Sequence, residues 1–289
     1  MPQPAAAIVI VGDEILTGHT QDTNSHWLAR RLRADDVRVL RIETIADDPA
    51  EIEATLRRIL VRDEPAFLFV VGGLGPTPDD RTYEGVRRAL GVDLEVRAQH
   101  VAAMKSRIAR RGMSNDAWAD PERSEAMRRM IRIPVGSAAL ENPVGAALGC
   151  VAPAGRSRVA VFPGVPRELY AMYEESFAPV HVPKARKGRE ATRELEVRTA
   201  EAALWDTLTM LEREFPTIRL GSYPQDRRGL VVLRLAGPRP AVDAAFRRLR
   251  TATAALVLRP AKTPKRTGPR KRGERPKRKG KKIPGSRAG

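Results

Sequence analysis

Two stretches of this chain are apolar without interruption, Ala5–Val11 and residues 66–71, and each runs into glycine, at Gly12 and at Gly72-Gly73. A half-exposed strand alternates apolar and polar side chains; a run without alternation belongs to a strand buried on both faces, and both faces then need cover. Helical patterns supply that cover. Near Asn24 a stretch begins with Trp27, Leu28 and Leu32 on one face and Arg30, Arg31 and Arg33 supplying charge. Strand character returns at residues 37–42. Asp48-Pro49-Ala50-Glu51 then offers an N-cap, a proline at the first helical position and a capping-box acid, ahead of Ile52, Leu56, Ile59 and Leu60. Helix signals resume at Thr82, stop at Gly91, and recur at residues 99–111, 121–130 and 167–177, with short strands around 147–151 and 158–162. This alternation predicts a three-layer α/β/α sandwich with a mostly parallel sheet over residues 1–183, its active crevice at the strand ends. Past the basic join "PKARKGREATRE", strand (194–198), helix (200–214), strand (217–221), strand (229–236) and helix (240–254) predict a small α+β second domain over residues 191–258.

The formal charge of +17 on 289 residues suggests a nucleic-acid binder until it is divided along the chain. Residues 260–289 hold 13 Lys and Arg against one Glu, so +12 sits in the tail and +5 in everything before it. The tail has almost no large apolar side chains with which to offset its ordering entropy, so it is expected to be disordered. Without interleaved aromatics, any nucleic-acid contact it makes is expected to be sequence-blind and salt-sensitive. The single cysteine, Cys150, excludes an intrachain disulfide and fits a reducing compartment. The first apolar run is too short for a membrane span and lacks the basic flank of a signal sequence, so a cytoplasmic protein without a membrane partner is expected.

Chemistry is concentrated in "GGLGPTPDDRT". Gly72, Gly73 and Gly75 follow a buried strand, where glycine permits positive φ and close approach of the backbone to a ligand. Their N–H groups, with a helix start behind them, would form an anion cradle. Neither the Walker pattern nor G-x-G-x-x-G fits, since Pro78 occupies the third glycine's place. Asp79 and Asp80 beside such a cradle would repel an anion unless a divalent cation (Mg²⁺, Mn²⁺ or Co²⁺) lay between them. The other reading makes one of them the N-cap of the helix through Tyr83 and Val86. Thr77 and Thr82 carry hydroxyls suited to phosphate, though Thr82 also fits a helix-start hydrogen bond. Glu14, after the first strand, suits a metal ligand or general base. Asp22 and Asn24 fit either ligand contact or capping. His19, His26, His100 and His181 show no metal-ligand spacing, and Trp27 and Trp205 are expected to pack on apolar helix faces.

The loop resembles the motif of the molybdopterin-binding (MoaB/Mog-like) domain, in the version found in competence/damage-inducible protein A (CinA) and at the N-terminus of eukaryotic FAD synthases. The similarity continues through "VGDEILTGHTQDTNSHWLARRL", "LENPVGAALG" and "VFPGVPREL", over roughly residues 5–180. It extends more weakly to "GSYP" in the second domain. The sequence shows neither the deamidase domain of full-length CinA nor the adenylyltransferase domain of FAD synthase. The resemblance implies a nucleotide or pterin ligand, with ADP-ribose or FAD as substrates of a metal-dependent pyrophosphatase, or molybdopterin held without hydrolysis. It implies ligand contacts for Asn142 and Gly145 and for Pro163 and Gly164, with Glu168 in the same turn, and self-association into a homo-oligomer.

Overall fold

A computed structural model describes residues 3–110, 121–182, 190–225 and 229–254. The chain divides into two compact units, Met1–Gly188 and Arg189–Gly289. The join at residues 183–189 and the basic tail lie outside the described residues.

In the first unit β1 (Ala5–Val11) runs through a one-turn helix α1 (Asp13–Leu16) to α2 (Asn24–Ala34), β2 (Arg38–Ile45), α3 (Pro49–Arg62), β3 (Phe67–Val71) and α4 (Thr82–Leu90). Then come β4 (Leu94–Glu95), α5 (Ala98–Arg110), α6 (Pro121–Arg129), β5 (Ile133–Pro134), β6 (Ala138–Leu140), β7 (Gly149–Ala154), β8 (Ser157–Phe162), α7 (Pro166–Met172) and, after a wide turn, α8 (Ala178–His181). The main sheet has the order β2-β1-β3-β8-β7-β6. β2, β1, β3 and β8 are parallel, whereas β7 pairs antiparallel with both β8 and β6. The sandwich and its mostly parallel sheet are as expected; the short strands β4, β5 and β6 were not visible as patterns, because two or three residues carry no periodicity.

The uninterrupted runs have the predicted cause. On one face Ala7, Val9, Val11, Leu68, Val70, Val159 and Val161 join Ile52, Leu56 and Ile59 of α3 and Tyr83 and Val86 of α4. On the other, Ile8, Ile10, Phe67, Phe69 and Phe162 join Leu28 and Leu32 of α2 and Leu169, Tyr173 and Phe177. Every residue of β3 is buried. The start of α3 is capped as its sequence suggests: Asp48 accepts from the Ala50 N–H and Pro49 takes the first turn.

The second unit orders its strands β9 (Glu190–Arg198), β10 (Arg219–Pro224) and β11 (Leu230–Pro238) as an antiparallel sheet β10-β11-β9, with α9 (Trp205–Glu214) and α10 (Arg239–Ala252). Val231, Leu233 and Leu235 alternate inward along β11 against Leu211, Val242 and Leu249. Trp205 does not pack as expected: it is 73% exposed. Leu204, one residue earlier, takes the core position, and a step of one residue along a helix turns the indole outward.

Gly85 shows how closely the layers meet. A Cβ there would lie 2.5 Å from the Ile52 Cβ and 3.2 Å from the Pro49 carbonyl oxygen. In an exposed helix Gly→Ala stabilises by about 1 kcal/mol. Here overpacking of roughly 1–3 kcal/mol outweighs that gain, so Gly85→Ala is expected to lower stability in chemical denaturation; an increase would show that α3 and α4 are not in close contact.

Candidate functional site

Because β1, β3 and β8 are parallel neighbours, their C-terminal ends reach one sheet edge, where β2 and β3 diverge to either side of β1. Ligands of open α/β sheets bind at such a switch point. Gly12 donates its N–H to the Ile45 carbonyl (3.1 Å) and Gly72 to the Phe162 carbonyl (3.0 Å). Gly72 has φ 116°, and a Cβ on it would collide with the Val11 carbonyl oxygen; Gly164 closes from the β8 side, the place for its own Cβ 3.3 Å from the Gly72 Cα. Three turns are thereby stacked into one wall.

The cleft they enclose has a volume of about 460 Å³ and is lined by Glu14, Asp47, Gly72, Gly73, Gly75, Asp79, Asp80, Pro163, Gly164 and Glu168, with Met130, Ala146 and Ala147. Gly73 has φ 60°. Among the described residues none of the N–H groups of Gly73, Leu74 and Gly75 donates to a backbone carbonyl. Their hydrogens are not used within the loop backbone.

The two adjacent aspartates have different geometry. Asp80 Oδ2 accepts from the Thr77 N–H (2.9 Å) and the Thr77 hydroxyl (2.5 Å), closing the turn on itself. Neither aspartate caps α4. Its N-cap position is Arg81, without a side-chain cap bond, because Asp80 bonds backward into the loop instead of forward into the helix. Asp79 remains on the cleft. Its own backbone N–H and the charges of Arg81 and Arg129 hold its carboxyl below the usual carboxylate range, while the Thr77 hydroxyl gives its one proton to Asp80.

Asp47 was missed in the sequence, overshadowed by the adjacent cap Asp48. Asp47 Oδ2 accepts from the Asp13 N–H (2.9 Å), joining the β2–α3 turn to α1. Burial pushes its carboxyl above the usual range; that N–H opposes the rise, while the charges of Asp13, Glu14 and Asp79 add to it. Glu14 folds back over Gly12, where a Cβ would sit 2.8 Å from both of its carboxylate oxygens.

The remaining candidates lie behind the wall. Thr82 is fully buried under Gly73 and its Oγ1 has no partner. Asn24 donates to the Gly164 carbonyl (2.7 Å) and leaves Oδ1 buried without a partner. Asp22 accepts from the Ser25 N–H (2.9 Å) at the start of α2 and does not line the cleft. Asn142 is 1% exposed; it accepts from the Gly145 N–H (2.7 Å) and donates to Glu168 (2.7 Å) and the Ala147 carbonyl (3.0 Å). Asn142 and Gly145 thus shape the loop that presents Ala146 and Ala147. Cys150 is buried, its thiol pushed up to about 12. Among the described residues no group of three or more His, Cys, Asp or Glu side chains is gathered to hold a metal ion, and no helix is long and apolar enough to cross a membrane.

Comparison with known proteins agrees with this geometry. The profile of the family described as "Probable molybdopterin binding domain" matches residues 7–181, from within β1 to the end of α8. PH0439 of Pyrococcus horikoshii is 39% identical over 177 residues, 60% of this chain and 68% of that one. A CinA-like protein of Mycobacterium tuberculosis is 38% identical over 218 residues, 73% of this chain and 50% of the relative, so the chain spans half that protein's length. The solved structure of CinA from Thermoplasma acidophilum, a protein described as of unknown function, superposes with a TM-score of 0.51 at 32% identity, covering 59% of this chain and 94% of that one. The chain belongs to the molybdopterin-binding domain family, in its CinA-like branch.

Proposed function

We propose that the cleft is the site of a metal-dependent hydrolase of nucleotide pyrophosphates of the FAD or ADP-ribose type. The observation that carries this reading is the placing of Glu14, Asp47 and Asp79 around a row of unpaired N–H donors. An anion cradle ringed by acids holds an anion well only with a cation between them. Mg²⁺ is commonly held by one or two carboxylates plus phosphate oxygens of the substrate, so the chain needs no three-ligand cage. Asp79, with the free Oδ1 of Asp80, would hold the cation. When bound, a divalent cation (Mg²⁺, Mn²⁺ or Co²⁺) neutralises diphosphate charge.

The chain's own groups do the rest. The N–H groups of Gly73, Leu74 and Gly75 hold phosphoryl oxygens, and Asp80 fixes the turn that presents them through Thr77. Glu14, exposed at the rim, takes the proton of the attacking water. Asp47, tied to the Asp13 N–H, completes the ring of acids around the cradle. The family's description favours a second reading, in which a pterin or nucleotide binds in the same cradle without hydrolysis.

Turnover of FAD and ADP-ribose by the full chain, with each cation and with EDTA, separates the two. The expected result is cation-dependent release of AMP. Glu14→Gln is expected to lower kcat by roughly 10²–10⁴-fold, the size of a lost general base, with KM little changed. Asp79→Asn is expected to raise the cation concentration needed for half-maximal rate. Absence of AMP with every cation would leave binding alone.

Asp80→Ala has a separate signature. Removing the acceptor of two Thr77 bonds on an exposed turn is expected to destabilise by about 1 kcal/mol, whereas Asp79→Ala is expected to change stability by no more than about 0.5 kcal/mol. Chemical denaturation checks the pair; equal effects would contradict the division of labour.

A further inference from the structure

On the other side of the glycine loop lies a second cleft, about 340 Å³ in volume, whose walls carry Arg81, Arg88, Arg129 and Arg132 against only two acids, Asp80 and Glu84. It shares Gly73, Leu74, Gly75 and Asp80 with the acid-rich cleft, so one ligand can lie across the loop and reach both. Arg88 is committed to Glu84 (2.9 Å), and Arg132 lies 3.8 Å from Glu125. The other two are placed differently. Arg81 donates Nε–H to the Pro78 carbonyl (3.0 Å) and Arg129 an Nη2 N–H to the Asp80 carbonyl (3.3 Å); among the described residues neither has a carboxylate partner. A guanidinium has five N–H donors. One bond to a carbonyl fixes its position and leaves the other donors for an anion.

We infer that this arginine-lined cleft is a second anion subsite, which takes a phosphoryl group of the ligand whose remainder lies in the acid-rich cleft. Charge decides the class. The two sides of the Pro76–Asp80 turn have opposite character: carboxylates that need a cation on one side, and on the other guanidinium groups that, among the described residues, are bonded only to carbonyls. A neutral pterin ring or an uncharged sugar offers the free guanidinium donors no anionic acceptor, whereas a phosphate accepts forked Arg bonds. The ligand therefore carries a phosphoryl group beyond the one held by the glycine loop. The inference concerns binding and stands whether or not the site hydrolyses anything.

The test is calorimetric titration of the full chain with inorganic pyrophosphate in EDTA, where no cation-dependent turnover can intrude. The comparison is between the Arg81→Gln/Arg129→Gln double variant and a control, Arg247→Gln/Arg250→Gln, which removes the same charge from α10. Loss of two charge-assisted contacts is expected to weaken pyrophosphate binding by about tenfold or more, with the control unchanged. Arg81→Gln alone, on an exposed side chain, is expected to show part of the loss with the wild-type unfolding midpoint, which covers the case of a poorly folded double variant. Equal weakening in variant and control, or no weakening in either, overturns the assignment, because binding would then follow bulk charge.

Discussion

The site depends on the parallel register of β1, β3 and β8. Once these strands lie side by side, the turns after Val11, Val71 and Phe162 share one edge, and the Gly72 N–H to Phe162 bond with the Val11 carbonyl packed on Gly72 leaves no room for a side chain. That register is itself held by side chains buried on both faces, each worth roughly 1.5–3 kcal/mol relative to exposure. A one-residue slip would exchange the two faces and misalign all three turns at once.

Electrostatics then gives the edge its chemistry. Glu14 comes from α1, Asp47 from the β2–α3 turn, Asp79 and Asp80 from the glycine loop and Glu168 from α7, so the acids converge from four separate chain segments. Burial raises the Asp47 carboxyl and the neighbouring acids add to the rise, whereas the backbone N–H of Asp79 and the charges of Arg81 and Arg129 support the charged form of Asp79. One site thus holds a carboxyl that resists ionisation beside one that favours it, a division suited to a cleft whose charge changes when a cation and an anion enter together.

Much of this was legible in the sequence where the physics is local. Uninterrupted apolar runs gave the buried strands, Asp48-Pro49 the start of α3, Gly91 the end of α4, and the glycine loop its place after β3. What escaped was set by distant contacts. Asp47 enters the site through an N–H 34 positions away. Whether Asp79 or Asp80 caps the helix stayed open, because nothing in the order Thr-Pro-Asp-Asp tells whether a carboxylate bonds forward or back. Asn142 and Gly145 read as ligand contacts, but their partners are Glu168 and the loop backbone, joined only in the fold. Trp205 read as a core residue, and its neighbour Leu204 holds that place.

On the reading proposed for this cleft, cradle and carboxylates act jointly through a cation. The most direct measurement is the affinity of a non-hydrolysable, methylene-bridged ADP-ribose analogue with and without Mg²⁺, in the wild type and in Asp79→Asn. Tighter binding with Mg²⁺ is expected in the wild type, with loss of that gain in the variant. Equal or tighter binding in EDTA by the wild type would contradict it.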